Sequence, residues 1–147
     1  MDTWIDRFAY ANQRADMTRV FVSADDDLRV TGFYALSTGG VDIAEVPERL
    51  AKGLPRHPVP VVILTRLAVH LECQGHGLGR ALVRDALVRV ATASHALGIR
   101  APLVHAKDSS ARAFYLALAE FEPSPTDPLH LFLLMKDLRA AIDRSRL

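Results

Sequence analysis

The chain has 147 residues, 50% of them apolar and 24% charged, with a net charge of +1. That length suits a single domain over residues 1–147 with a real core, and the charge gives no global case for nucleic-acid binding. No apolar stretch approaches the roughly 18 residues needed to cross a bilayer, and the polar start Met1-Asp2-Thr3-Trp4 predicts no secretory leader.

The predicted elements run in order as follows. Asp2 to Asn12 reads as a short helix, with Trp4, Phe8 and Ala11 at helical spacing. Arg19 to Ala24 and Leu28 to Leu36 form a hairpin across the turn Asp25-Asp26-Asp27, and Gly39-Gly40 is expected to end the second strand. Val46 to Leu54 is a short helix or irregular segment closed by Pro55 and Pro58. Val59 to Val69 is a continuous apolar run rich in β-branched residues, which suits a strand buried on both faces at the centre of a sheet. From Gly77 to Leu97, Leu78, Leu82, Ala86, Leu87 and Val90 mark the apolar stripe of a long helix that Gly98 stops. Leu103 to Ala106 is a short buried strand, and Asp108 caps a helix through Leu118. Pro123, Pro125 and Pro128 stiffen a loop before a strand from Leu129 to Met135, and Leu138 to Leu147 is a charged terminal helix. A hairpin followed by strand, helix, strand, helix, strand predicts an α/β fold with a mixed sheet and helices on both faces.

Between the central strand and the long helix stands Gln74-Gly75-His76-Gly77-Leu78-Gly79-Arg80. Alternate glycines leave no side chain between the backbone and a ligand, and a helix N-terminus carries unpaired N–H groups and partial positive charge. Together they make a cradle for a phosphate or pyrophosphate, although a glycine loop taken alone more often just caps a turn. A Walker A loop is excluded, because Arg80 and Ala81 follow the last glycine where Lys and Ser or Thr are required. The dinucleotide fingerprint is excluded by the glycine spacing. The lone cysteine, Cys73, excludes an internal disulfide and suits a reducing cytoplasm. No Cys/His cluster has ligand spacing, so no metal is expected.

Gln74, Gly77 and Gly79 fit Gln-x-x-Gly-x-Gly and resemble the pyrophosphate loop of the GNAT acyl-CoA N-acyltransferases. Asp108 to Tyr115 resembles a second segment of that family, Asn-x-x-Ala-x-x-Phe-Tyr, with Asp in place of the first Asn. A narrower resemblance covers most of the chain. Gly32 to Leu36, Pro60 to Val69, Gln74 to Arg80, Ala113-Phe114-Tyr115 and Phe121 to Pro128 are similar to the tRNA-acetylating toxins of type II toxin–antitoxin pairs. In those relatives a first strand and helix precede the segment that begins here near Thr3, and the chain is expected to lack them.

The resemblance implies a GNAT fold, acetyl-CoA as cofactor, and acetylation of the α-amino group of an aminoacyl-tRNA, which stalls translation in the cytoplasm. It also implies a homodimer, a ribbon-helix-helix antitoxin as partner and no membrane association. Carried over by position, Leu67, Ala68 and Val69 meet the pantetheine arm, while Gln74, Gly75, His76, Gly77, Leu78, Gly79 and Arg80 hold the pyrophosphate. Phe114 lines the same cofactor, and the Tyr115 phenol donates a proton to the departing thiolate. An α-amine titrates near about 7.7–8.0 against about 10.4 for lysine, so an α-amine acceptor makes a dedicated strong base dispensable. No Glu or His stands in the strand before the loop.

Other residues carry weaker signals. Arg80, Arg84 and Arg89 fall at helical spacing, and Arg7, Arg14 and Arg19 punctuate the first segment. A solvated face is the default for such residues; Arg84 and Arg89 are expected to face outward and meet tRNA phosphates, on a surface the antitoxin would occlude. His70 and His76 are expected at the surface and His105 in the core. Two rival readings stand beside the toxin: a GNAT enzyme for a small amine, favoured by an acidic acceptor pocket, and a catalytically silent CoA-binding module.

Overall fold

The computed structural model describes residues 17–144. The helix expected from Asp2 to Asn12, Arg7 and Arg14, and residues 145–147 of the expected terminal helix lie outside them.

Strands β1 (Arg19–Ala24) and β2 (Val30–Val41) form the hairpin. The Asp25 carboxylate accepts the backbone N–H groups of Asp27 (2.9 Å) and Arg29 (3.0 Å), which ties the turn and holds Leu28 at φ 61. A short helix α1 (Glu48–Ala51) leads to β3 (Val59–Val69). The long helix α2 (Leu78–Ala93) then crosses to β4 (Ala101–His105), and α3 (Ser109–Leu118) follows. The chain closes with β5 (Glu122–Pro123), β6 (His130–Phe132) and α4 (Met135–Asp143). The six strands make one mixed sheet in the order β1-β2-β3-β4-β6-β5. Only β3 and β4 run parallel, and α2 is their crossover.

β3 explains its own composition. Val59 and Val61 pack into one core with Val46 and Leu50 of the α1 region, and Val62 and Leu64 pack into the other with α2, α3 and α4. Both faces are covered, so alternation disappears and a continuous apolar run results. On α2 the residues Leu82, Val83, Ala86, Leu87 and Val90 are buried, each large aliphatic worth about 1.5–3 kcal/mol relative to exposure. The stripe thus carries one side of the main core.

Several boundaries differ from expectation for physical reasons. β2 runs through Gly39 and Gly40 to Val41. A Cβ on Gly39 would lie 2.8 Å from Ile63 Cδ1, so this glycine serves close packing against β3 and does not end the strand. α2 stops at Ala93, and a turn over residues 94–97 precedes Gly98. β6 is three residues long and the terminal helix starts earlier, at Met135; Leu133 still donates to the Pro102 carbonyl of β4 (3.1 Å), but a proline has no N–H to return.

Two irregularities coincide in the middle of the sheet. The β3–β4 ladder covers only Val61–Leu64 against Ala101–Val104. Immediately beyond it, the pair Leu36↔Leu64 is followed by Ala35↔Arg66, leaving Thr65 as a bulge whose hydroxyl donates to the Ala35 carbonyl (3.3 Å). The bulge shifts the alternation by one residue, so that Leu67 and Val69 turn toward the α2 core as Val62 and Leu64 do before it. β3 keeps its β2 partner to Val69 while parting from β4, and the sheet forks.

Gly32 lies opposite Val69 at the end of that fork. A Cβ there would stand 2.9 Å from Leu82 Cδ1 and 3.0 Å from the Ala68 carbonyl oxygen, and the oxygen belongs to backbone that cannot rotate away. Gly32→Ala is therefore expected to cost about 1–3 kcal/mol through overpacking, read as a lower urea midpoint with an unchanged slope.

Candidate functional site

The site is built where β3 ends. After Val69, His70 accepts the Glu72 N–H on its Nδ1 (3.2 Å) and caps a single 3-10 turn, Leu71–Cys73. Gln74 folds back and its Nε2 donates to the Val69 carbonyl (3.0 Å), which closes the loop against the strand it leaves. Gly75 and Gly77 then take φ of +82 and +81, a conformation that side chains resist. Nothing lies within 4 Å of where their Cβ atoms would stand, so the glycines serve backbone shape and an open surface. Gly77 precedes α2, and no side chain caps the helix. Its first-turn N–H groups thus point from an uncapped positive end into open space.

The second sequence signature converges on the same place. Asp108 Oδ1 accepts the Ala111 N–H (2.8 Å) and starts α3 as a side-chain cap, the role expected of it. α3 carries Phe114 and Tyr115 back toward the loop. A Cβ on Gly79 would be 3.6 Å from Phe114 Cζ and 3.8 Å from Val69 Cγ2, so strand end, helix start and Phe114 meet at one point. Leu67, Ala68, Val69, Leu78 and Gly79 are half-buried around it, while Gln74, Gly75, His76, Gly77 and Arg80 are exposed. Tyr115 is buried, edge-on to Phe114 (5.2 Å) and Phe121 (5.9 Å). Burial pushes its phenol well above the ordinary tyrosine value, so it holds its proton at neutral pH.

Two expectations need correction, on Arg84 and His105. Arg84 does not face outward: it is half-buried, and its Nη1 is enclosed with no hydrogen-bond partner among the described residues. Arg89 does face outward, with 49% of its side chain exposed, and is held in a cluster. Its guanidinium lies 4.0 Å from the Phe21 ring centroid, and its Nε donates to Tyr34 (2.9 Å) and Asp85 (3.1 Å). The Tyr34 hydroxyl also donates to Asp85; burial, and then that carboxylate, drive its ionisation up. His105 is not a core residue. It is exposed at the end of β4 and stacks on His130 of β6, rings 4.1 Å apart.

The Pro-rich segment before β6 is ordered by its own polar groups. Buried Ser124 donates from Oγ to the Glu45 carbonyl (2.6 Å) and from its backbone N–H to the His130 carbonyl (2.8 Å). Asp127 Oδ1 accepts the Leu129 N–H (2.9 Å), and Asp127 Oδ2 lies 3.4 Å from His130 Nε2. The segment's one structural task is to fix β6, and with it His130, against β4. The sequence signal for His130 was its place directly after that segment.

An uncapped helix end beside an open glycine surface, joined to a forked pair of parallel strands, suits a ligand that carries a pyrophosphate and an extended arm. Comparison with known proteins agrees. Residues 16–118 match the acetyltransferase (GNAT) domain. The chain is 50% identical over 142 residues to the tRNA-acetylating toxin of Mycobacterium tuberculosis (strain ATCC 25618 / H37Rv), covering 97% of this chain and 84% of that protein. Among solved structures, AtaT complexed with acetyl-methionyl-tRNAfMet superposes with a TM-score of 0.85 at 28% identity, covering 93% of this chain and 82% of that one. A tyrosine-to-phenylalanine AtaT mutant bound to the C-terminus of the antitoxin AtaR and acetyl-CoA gives 0.77 at 27% identity, covering 96% and 82%. The chain belongs to the GNAT acetyltransferase family, and it is an N-acetyltransferase.

The glycines divide by conformation, which separates fold from ligand. Gly77→Ala is expected to destabilise the protein by about 1–2 kcal/mol, because a Cβ must enter the left-handed region. Gly79→Ala, inside the helix with only ordinary contacts near its new methyl, is expected to gain up to about 1 kcal/mol from helix propensity. Both are expected to weaken coenzyme A binding by calorimetry, so stability and affinity move in opposite directions for Gly79→Ala.

Proposed function

We propose that the protein is an acetyl-CoA-dependent N-acetyltransferase toxin that acetylates the α-amino group of aminoacyl-tRNA and so blocks translation. The observation that carries this reading is the 50% identity to a tRNA-acetylating toxin across 97% of the chain, matched by a site with the corresponding parts. The residues fit the cofactor: the uncapped N-terminus of α2 and the open surface over Gly75 and Gly77 suit its pyrophosphate. Leu67, Ala68 and Val69, on the β3 side of the fork, suit its amide-bearing arm, which would continue the sheet as an added strand. When bound, the cofactor supplies an activated acetyl thioester.

The chain's own groups do the rest. Backbone groups at the β3 end hold the acetyl carbonyl in register, and a donor of that kind is worth about 2.7–4 kcal/mol. Phe114 closes the passage beside Gly79 and keeps water out. Tyr115, protonated through burial, delivers its proton to the sulfur as the thiolate leaves.

The acceptor side of the fork supports RNA over a small cationic amine. Arg66 and His105 face it, with His130 beside them, and Asp127, the nearby acid, lies against His130. Arg89, half-exposed on α2, would meet phosphates farther along the RNA. We place the protein in the cytoplasm as a homodimer neutralised by a ribbon-helix-helix antitoxin that covers this basic surface. Among the described residues no helix is long and apolar enough to cross a membrane.

Radiolabelled acetyl-CoA, mixed with total aminoacylated tRNA, is expected to label charged tRNA and leave uncharged tRNA unlabelled. Tyr115→Phe is expected to lower the transfer rate by about 10²–10⁴-fold with coenzyme A affinity retained. Transfer to small amines with none to charged tRNA would refute the tRNA reading; coenzyme A binding without any turnover would make the protein a silent module.

A further inference from the structure

We propose that His105 is the proton acceptor for the incoming α-amine, standing at the mouth of the fork on the face of the sheet opposite Tyr115. The inference rests on the function proposed above and adds a residue to it.

Position is the first argument. β4 pairs with β3 through Val104, so His105 is the first residue of β4 beyond the ladder, where the two strands separate. Alternation then sets its face. Val104 belongs to the core that holds Tyr115, whereas Leu103 belongs to the opposite core, and His105 shares the side of Leu103. Arg66 arrives on the same side from β3, paired with Ala35 next to the bulge. A thioester lying in the fork would therefore have Tyr115 on one side and His105 on the other. The nucleophile and the leaving sulfur need such opposite approaches.

Construction is the second argument. His105 is exposed, yet its ring is fixed by parallel stacking on its direct cross-strand neighbour His130 (4.1 Å, 20° between planes). His130 is in turn held by Asp127 (3.4 Å), and Asp127 by the Leu129 N–H. Partial burial, then His130, lower the His105 pKa, and Asp127 opposes them; the imidazole is neutral at pH 7 and has a lone pair to offer. The charged groups around it are His130 on β6, Asp127 in the preceding loop, Arg66 on the β3 side, and Lys107 and Asp108 just beyond β4.

The step balances as follows. The amine nitrogen forms a bond to the acetyl carbon as the carbon–sulfur bond breaks. The proton shed by that nitrogen goes to the His105 ring, and the thiolate takes its proton from the Tyr115 hydroxyl. No oxidant or further reactant is required.

The test compares wild-type protein and His105→Gln in single-turnover transfer to charged tRNA at pH 5.0 and pH 7.5. The variant is expected to lose about 10²-fold or more at the higher pH, where the ring is neutral, and less at the lower, where protonation takes the base from the wild type as well. Its coenzyme A affinity and melting temperature are expected to stay at wild-type values. A second readout needs no turnover: the His105 ring, assigned by the resonance that His105→Gln removes, is titrated by NMR in the coenzyme A-free protein. It is expected to titrate below 6.5 and to shift when an RNA minihelix carrying an amide-linked amino acid is added. A variant with the wild-type rate at pH 7.5, an equal loss at both pH values, or a ring indifferent to the minihelix would overturn the proposal. Wild-type protein that transfers nothing to charged tRNA would instead overturn the function on which it rests.

Discussion

The bulge at Thr65 is the constraint on which the rest of the site depends. A strand buried on both faces has every reason to keep pairing, because an unpaired buried N–H or C=O costs about 1–3 kcal/mol. β3 nevertheless leaves β4 after Leu64 while continuing beside β2 to Val69. Thr65 makes the departure tolerable. Its extra residue bends the strand, its hydroxyl satisfies the Ala35 carbonyl, and the shifted alternation returns Leu67 and Val69 to the main core. The strand can therefore hold its packing on one side and present backbone to a ligand on the other. Four residues separate the short turn at Leu71–Cys73 from the start of α2, so its positive end falls at the tip of the same fork.

Much of this was legible in the sequence because it follows from local rules. The unbroken apolar run in β3 reports burial on two faces, Asp108 reports a helix start through its cap, and the alternating glycines report an open backbone ahead of a helix N-terminus. What was not legible depends on strand register. Gly39 and Gly40 look like terminators, yet a Cβ on Gly39 would run into Ile63, which lies diagonally across on β3. His105, in an apolar segment, looks like a core residue; the ladder ends one residue earlier and leaves it at the rim. Nothing in the spacing of Arg89 announces Tyr34, which is 55 residues away in the chain. Charge spacing along one helix therefore describes which residues share a face and says nothing of what the neighbouring strands bring to it.

The Tyr34–Asp85–Arg89 cluster illustrates the difference between an arginine that is present and one that is available. Arg89 has an aromatic ring beneath it, a carboxylate and a phenol beside it, and about half of its side chain in solvent. Its charge still adds to the field felt by a polyanion, because screening acts over about 8–10 Å at moderate salt. Its hydrogen-bonding capacity is partly spent, however, and any direct phosphate contact competes with Asp85. Such a residue steers association more than it holds a bound ligand.

Placing a weak base opposite a weak acid resolves a chemical tension at the fork. An α-ammonium titrates near about 7.7–8.0, and partial burial with His130 holds His105 below the ordinary histidine value, so direct deprotonation before attack is uphill. That mismatch is harmless for an α-amine, a useful fraction of which is already neutral in solution. Once the nitrogen begins to bond to carbon, its proton becomes far more acidic, and transfer to a neutral imidazole turns downhill. A base that stays unprotonated until that moment is better suited than one of high pKa, which would be charged at pH 7 and repel the ammonium-bearing acceptor. The depressed imidazole and the elevated phenol are thus complementary: each keeps, until needed, the protonation state the reaction consumes.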